Sequence, residues 1–120
     1  MSVGAQIEKF YQEAAANQYL WFAENPDGTF LEFDVKDNRV SLPVWSSKSR
    51  IQRLKKLNPE LLADVEPRGI SWEKFKEVVV PILIQKNRLV NLNLSGKNLT
   101  GFDLPLEQLI RNFEAISSVS

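Results

Sequence analysis

Two runs of alternating residues stand back to back near the middle of the chain, and together they dictate a sheet. Over 29–35, Leu31, Phe33 and Val35 fall on one side, with Phe30, Glu32 and Asp34 on the other. After an Asp37-Asn38 turn, Val40, Leu42 and Val44 alternate with Arg39, Ser41 and Pro43. A period of two lets a strand bury one face and solvate the other. Before these runs, Tyr19-Leu20-Trp21-Phe22 reads as an aromatic strand and Asn25-Pro26-Asp27-Gly28 as a turn. There proline presets φ and glycine takes the conformation that other residues resist. The pattern predicts an antiparallel meander with one buried face. Pro43 cannot donate to a ladder, so the third strand is expected to be an edge or to lack a partner at that point.

Helices must cover such a face, and the flanking sequence supplies them. Ile7, Phe10, Tyr11 and Ala14 predict an amphipathic helix over 4–17. A basic helix over 47–57 carries Ile51, Leu54, Leu57 and then Leu61 on one face, and Asn58-Pro59 ends or kinks it. Residues 64–70 read as extended, with Pro67 and Gly69. Ser71 then caps a helix, with Ile70 and Phe75 placed as a hydrophobic staple. Its inward stripe is Trp72, Phe75, Val79, Ile82 and Leu83, and Pro81 should kink it. Val90, Leu92 and Leu94 alternate with Asn91 and Asn93 as a strand. Ser95-Gly96-Lys97-Asn98 turns this strand into a short partner over 99–102. Asp103 and Pro105 open a last helix with Leu106, Leu109, Ile110 and Phe113. The expected fold is α+β in a single domain over 1–120. It has an antiparallel or mixed sheet of about five to six short strands, with roughly three to four helices mainly on one face.

At 120 residues the chain can bury one real core without metal or disulfide help. Cysteine and histidine are both absent. That removes disulfides, thiol nucleophiles, the commonest general base and the commonest transition-metal ligand. No catalytic constellation, cofactor or metal site is expected. The longest apolar run, 78–84, is far too short to span a bilayer. No basic stretch precedes an apolar one at the N-terminus, so a cytoplasmic setting without membrane contact is expected.

The net charge is zero but unevenly spread. Residues 1–37 hold seven acids and two bases, 38–58 six bases and no acids, and the rest eight acids and seven bases. A basic face for an anionic partner is one reading. The other, favoured by the neutral total, is that the acidic and basic segments neutralise each other or form solvated faces.

Candidate chemistry gathers at the strand-to-helix switch SLPVWSSKSR, residues 41–50. The helix N-terminus offers backbone donors, and Ser46, Ser47, Lys48 and Arg50 add groups that bind phosphate or carboxylate. The plain alternative is that one serine caps the helix and the rest are exposed. No glycine-rich loop precedes the helix, so it is not a P-loop. Arg50 shares the apolar face with Leu54, Leu57 and Leu61. A partly buried guanidinium needs a partner, either an acid of the N-terminal segment such as Glu32 or Asp34, or a ligand. Trp72 fits the core stripe. Trp21, Phe30 and Trp45 are the candidate outer aromatics; exposed together, they would make an interaction patch. Glu32 and Asp34 share a strand face, but two carboxylates on a solvated strand are common and carry little.

Four stretches, QIEKFYQEAAANQYLWFAENPDG, LPVWSSKSRIQRL, ISWEKFKEVVVPIL and VNLNLSGKNLTG, occur in the order seen in a family of small bacterial proteins. In them the chain resembles domain of unknown function family 2750 over nearly its whole length. The LPVWSS segment is also similar to a PVF-T turn of the SseB-like group, which is associated with secretion and interaction proteins. The resemblance implies an α+β fold and a bacterial cytosolic setting, and it carries over no catalytic residue.

The expected function is a non-enzymatic protein-interaction or adaptor domain, with another protein or a second copy as partner. A different class is a small anionic-ligand binding protein or enzyme using Ser46, Ser47, Lys48 and Arg50. Nucleic-acid binding through Lys48, Arg53, Lys55 and Lys56 is the third and least supported, because the domain as a whole is not basic.

Overall fold

The computed structural model describes residues 3–85, 88–96 and 101–119. In chain order the elements are α1 (Val3–Asn17), β1 (Tyr19–Glu24), β2 (Phe33–Val35), β3 (Arg39–Val44), α2 (Lys48–Leu57), α3 (Pro59–Leu62) and β4 (Glu66–Ser71). Then come α4, a helix over 72–85, β5 (Leu89–Leu92), β6 (Asp103–Pro105) and α5 (Leu106–Val119). The class is α+β, as expected.

Four strands form a mixed sheet in the order β2-β3-β5-β6, and β1 pairs with β4 in an antiparallel ribbon. Within the larger sheet β3 and β5 are parallel. The expected three-strand meander is therefore only a β2–β3 hairpin. The turn after β1 explains the difference. Gly28, at φ 88°, closes it by donating from N to the Asn25 carbonyl at 2.9 Å. The returning chain bridges β1 only at Phe30 and through Leu31 N to the Ala23 carbonyl, 2.8 Å, before it leaves. The freed edge of β1 is taken up further on, where Trp21 and Trp45 exchange backbone hydrogen bonds of 2.8 and 2.9 Å.

Pro43 sits in the gap this creates. β3 lies inside the sheet rather than at its edge. Its ladder with β2 stops at Ser41, and the next bond on that side is at Trp45. The Val44 carbonyl accepts from Asn93 N on the β5 side, so the backbone of Pro43 faces the unpaired side by alternation. The missing N–H falls where no acceptor waits.

The core has two parts, on opposite faces. Leu20 and Phe22 of β1, Leu42 and Val44 of β3, and Val90 and Leu92 of β5 join Phe10, Tyr11 and Ala14 of α1 in the larger one. There Trp72 of α4 stacks on Phe113 of α5 with ring centroids 3.8 Å apart. The smaller part holds Ala23, Trp45, Ile51, Leu54, Leu62, Val65 and Leu94, with Trp21 packed against it. Helices α1, α4 and α5 thus cover one face, and α2 and α3 cover part of the other.

Ser71 caps α4 as expected, its Oγ accepting from Lys74 N at 3.2 Å. Pro81 acts one turn early. Residues Phe75–Val79 form a π-helical stretch, and Val80 N reaches back to the Phe75 carbonyl. Proline has no N–H and crowds the carbonyl four residues before it, so the preceding turn widens. The extra residue shifts the phase of the stripe. Leu83 stays buried, but Ile82, expected inside, is 48% exposed. Leu57 and Leu61, also expected on a buried face, lie outside as well.

Asp103 and Pro105 belong to β6 rather than to the last helix, because Asp103 and Leu104 pair with Asn91 and Val90. Leu104 is spent in the larger core, and α5 begins at Leu106. Of the expected partner strand over 99–102, residues 99 and 100 lie outside the described residues, and 101 and 102 are not in a strand, which begins at Asp103. Among the described residues, no helix is long and apolar enough to cross a membrane.

Candidate functional site

The parallel pair β3–β5 ends where the chain makes its switch into α2, and buried polar groups converge there. Trp45 Nε1 donates to the Leu94 carbonyl at 2.8 Å. Ser46 N donates to Asn93 Oδ1 at 2.9 Å, and Asn93 Nδ2 donates to Ser46 Oγ at 3.0 Å. Asn93 holds this geometry at φ 54°, in the left-handed region that asparagine tolerates. From α1, Gln6 Nε2 donates to the Asn93 carbonyl at 2.5 Å. Gln6, Ser46 and Asn93 are all buried. Buried polar groups are stable only when paired, and this cluster pairs them.

Glu13 completes the cluster. Its Oε1 accepts from Ser46 Oγ at 2.5 Å and from Arg50 Nε at 3.0 Å, and its Oε2 accepts from Arg50 Nη2 at 3.1 Å. The Arg50 hydrogen bonds, followed by that from Ser46, hold the Glu13 carboxyl below the ordinary carboxylate range against the opposing effect of burial. A partner in the acidic N-terminal segment was expected, but on a strand. Glu32 is instead bound by Arg88, 2.6 Å from Nε to Oε2, and Asp34 is exposed. Gln6, Phe10, Glu13 and Ala14 lie at helical spacing, so α1 brings two polar groups to the β3–β5 end alongside its apolar stripe. Among the described residues, the acidic and basic segments meet here in the Glu13–Arg50 ion pair.

Ser46 and Arg50 are thus brought together, around a carboxylate of the chain itself. Ser47 is the residue before α2, but its side chain makes no capping hydrogen bond and lies 3.2 Å from Ser49 Oγ. Lys48 is exposed and outside the cluster. The cavity beside Arg50 measures about 20 Å³, room for about one water. The outer aromatic patch is also corrected. Trp45 is 1% exposed, because strand parity turns it into the smaller core, where its indole N–H is bonded. Trp21 is partly buried against the same core, and Phe30 stacks on Phe22 with centroids 4.8 Å apart.

Glu13, Gln6 and Asn93 were missed. Their signal was present: Gln6 and Glu13 flank Phe10 on the buried side of α1, and Asn93 interrupts an apolar strand just before a turn.

A second polar group lies on the face of the larger sheet opposite α1. Asp103 Oδ1 accepts from Ser41 Oγ at 2.5 Å and from Asn91 Nδ2 at 3.1 Å. Two adjoining cavities of about 260 and 440 Å³ share Val35 and Asp103 there, and Arg39 lines the larger. Among the described residues no group of three His, Cys, Asp or Glu could hold a metal ion.

Residues 7–113 match the model of a family described as a protein of unknown function, DUF2750. No curated protein matches the chain.

Proposed function

The chain belongs to the DUF2750 family of unknown function, and we propose that it is a non-enzymatic interaction domain that pairs with a second copy of itself through α4. The observation behind this reading is the outer surface of that helix. Val78 and Ile82, four residues apart and on the same flank, are each about half exposed, at 50 and 48%. The run from Val78 to Ile84 contains no charge. A surface helix ordinarily turns polar residues outward.

Charge balance favours a second copy over another partner. The ion pairs Lys76–Glu114 and Arg88–Glu32, one from α4 and one from just past its end, are closed within the chain. An isologous contact would set apolar residues against their own copies, with the flanking charges already neutralised.

The polar groups at the β3–β5 end are taken up by one another. Ser46 is buried, and the carboxylate beside it is held in its charged form by Arg50, which makes it a poor proton acceptor near neutral pH. The anionic-ligand reading of Ser46–Arg50 loses support for the same reason, since Glu13 takes the place of the anion.

Light scattering over a range of protein concentrations tests the proposal. The wild-type chain is expected to dimerise, and Ile82→Lys, which puts like charges across the two-fold axis, to be monomeric. A wild-type chain that stays monomeric throughout refutes the reading.

A further inference from the structure

Arg39, at the start of β3, has a buried Nε–H with no acceptor. The sequence raised the question of an unpartnered guanidinium at Arg50; the structure answers it there with Glu13 and poses it again at Arg39. Asp37 and Asp103 line the same cavity, yet neither forms an ion pair with Arg39. A buried donor left unpaired is costly, and an ionised one more so.

We infer that this sheet face binds a small zwitterion with an apolar body, a free α-amino acid of the leucine class. Arg39 lines the cavity, and a guanidinium carries parallel N–H groups of the kind that match a carboxylate. Asp103 supplies the complementary end. Its Oδ1 already takes hydrogen bonds from Ser41 and Asn91, which fix the carboxylate and leave Oδ2 for an ammonium. Ser41 is 1% exposed, so its side of this support is shielded from water. The adjoining lobe of about 260 Å³ receives the apolar body against Phe33, Val35 and Leu94. Asp103 lies on the boundary of both lobes, where the central ammonium of an amino acid falls when its carboxylate and side chain point to opposite ends.

The local charge separates this ligand from a simple anion. Among the described residues lining the larger cavity, Asp37 and Asp103 outnumber Arg39, so phosphate at Arg39 would face two carboxylates. A zwitterion brings its own cation and leaves no such excess of repulsion. The site lies on β2, β3, β5 and β6 and does not depend on self-association through α4.

Calorimetric titration of the full chain tests the inference with L-leucine, L-leucinamide, N-acetyl-L-leucine and inorganic phosphate as probes. L-Leucine is expected to bind. The amide, which lacks the carboxylate, and the N-acetyl form, which lacks the ammonium, should each bind about tenfold more weakly or worse. In Arg39→Gln, L-leucine should weaken to the level of the amide, because the variant removes the group that tells them apart. Asp103→Asn should weaken L-leucine but not the N-acetyl form. If that variant fails to fold, the N-acetyl titration of the wild-type chain makes the same test. Absence of saturable L-leucine binding overturns the inference. So does L-leucine affinity unchanged in Arg39→Gln, or binding of phosphate without binding of L-leucine.

Discussion

Arg50 of α2 holds Glu13 of α1 through both carboxylate oxygens, at 3.0 and 3.1 Å, across the ends of β3 and β5. The two side chains are only 19 and 31% exposed. The first helix is thereby tied to a helix on the opposite face of the sheet, around the strand ends rather than through the core. Such a link fixes geometry more than it adds stability, since desolvation offsets much of the attraction.

Breaking it from one side should still be costly, because the remaining charge is left partly buried. Arg50→Ala is expected to lower unfolding stability by about 1–3 kcal/mol, below the range for fully buried pairs. Arg50→Lys keeps the charge but not the two-point geometry, so it should fall between wild type and Arg50→Ala. Urea denaturation followed by tryptophan fluorescence reads all three. An alanine variant within about 0.5 kcal/mol of wild type would assign the pair no more weight than an ordinary surface contact.

The pH dependence follows from the direction of the Glu13 shift. Its folded-state pKa is lowered, with the Arg50 hydrogen bonds as the first cause. A lowered carboxylate contributes stability that is complete above its unfolded pKa, near 4.3, and is lost as pH falls through the folded value. The stability difference between wild type and Glu13→Gln should be constant from about pH 6 to 7 and should shrink below about pH 4. In an Arg50→Ala background that acid-side change should largely vanish. Denaturation midpoints measured at several pH values decide it, and a difference that grows on acidification would contradict the direction of the shift.

The buffering of charge along the chain was legible before the structure, but its partner was not. Acidic and basic segments are visible as composition, whereas Glu13 meeting Arg50 depends on α1 crossing the end of a parallel strand pair. No local pattern encodes that crossing. Strand alternation correctly placed Leu42 and Val44 in the core, yet it could not show that β1 leaves β2 for β4, because edge choice is a tertiary matter. Ile82 was misplaced for a different reason. A stripe counted at 3.6 residues per turn goes out of phase when Pro81 forces a π-helical turn. Arg39 stayed invisible because its position in the alternation marks only a polar face, and the want of an acceptor appears only in three dimensions.

Asn93 combines a backbone role with a side-chain role, and two substitutions separate them. Its φ of 54° costs an alanine but not a glycine, and its side chain satisfies the buried Ser46 N–H. Asn93→Ala loses both and is expected to cost about 2–4 kcal/mol. Asn93→Gly loses the side chain alone and should be the milder by about 1 kcal/mol, after allowing for the greater freedom of glycine in the unfolded chain. Thermal and urea unfolding of the pair tests the assignment. If glycine proves no better than alanine, the conformational contribution at this position is negligible.

Gly101 is held to glycine by contact rather than by torsion. A Cβ built on it would overlap the Asn91 side chain at Oδ1. That oxygen is buried without a partner, while Nδ2 of the same amide donates to Asp103. The amide therefore has no free rotation: turning it to make room would set its oxygen against the Asp103 carboxylate. Gly101→Ala is expected to cost about 1–3 kcal/mol, as overpacking does elsewhere. Asn91→Ala removes the obstacle along with one hydrogen bond to Asp103. The double variant should therefore be more stable than the sum of the two single losses predicts, by about 1 kcal/mol or more. A double-variant cycle in urea measures this coupling. Strict additivity would mean that the loop carrying Gly101 can lift away from β5 at no cost, and that the close approach of the two residues does not constrain the chain.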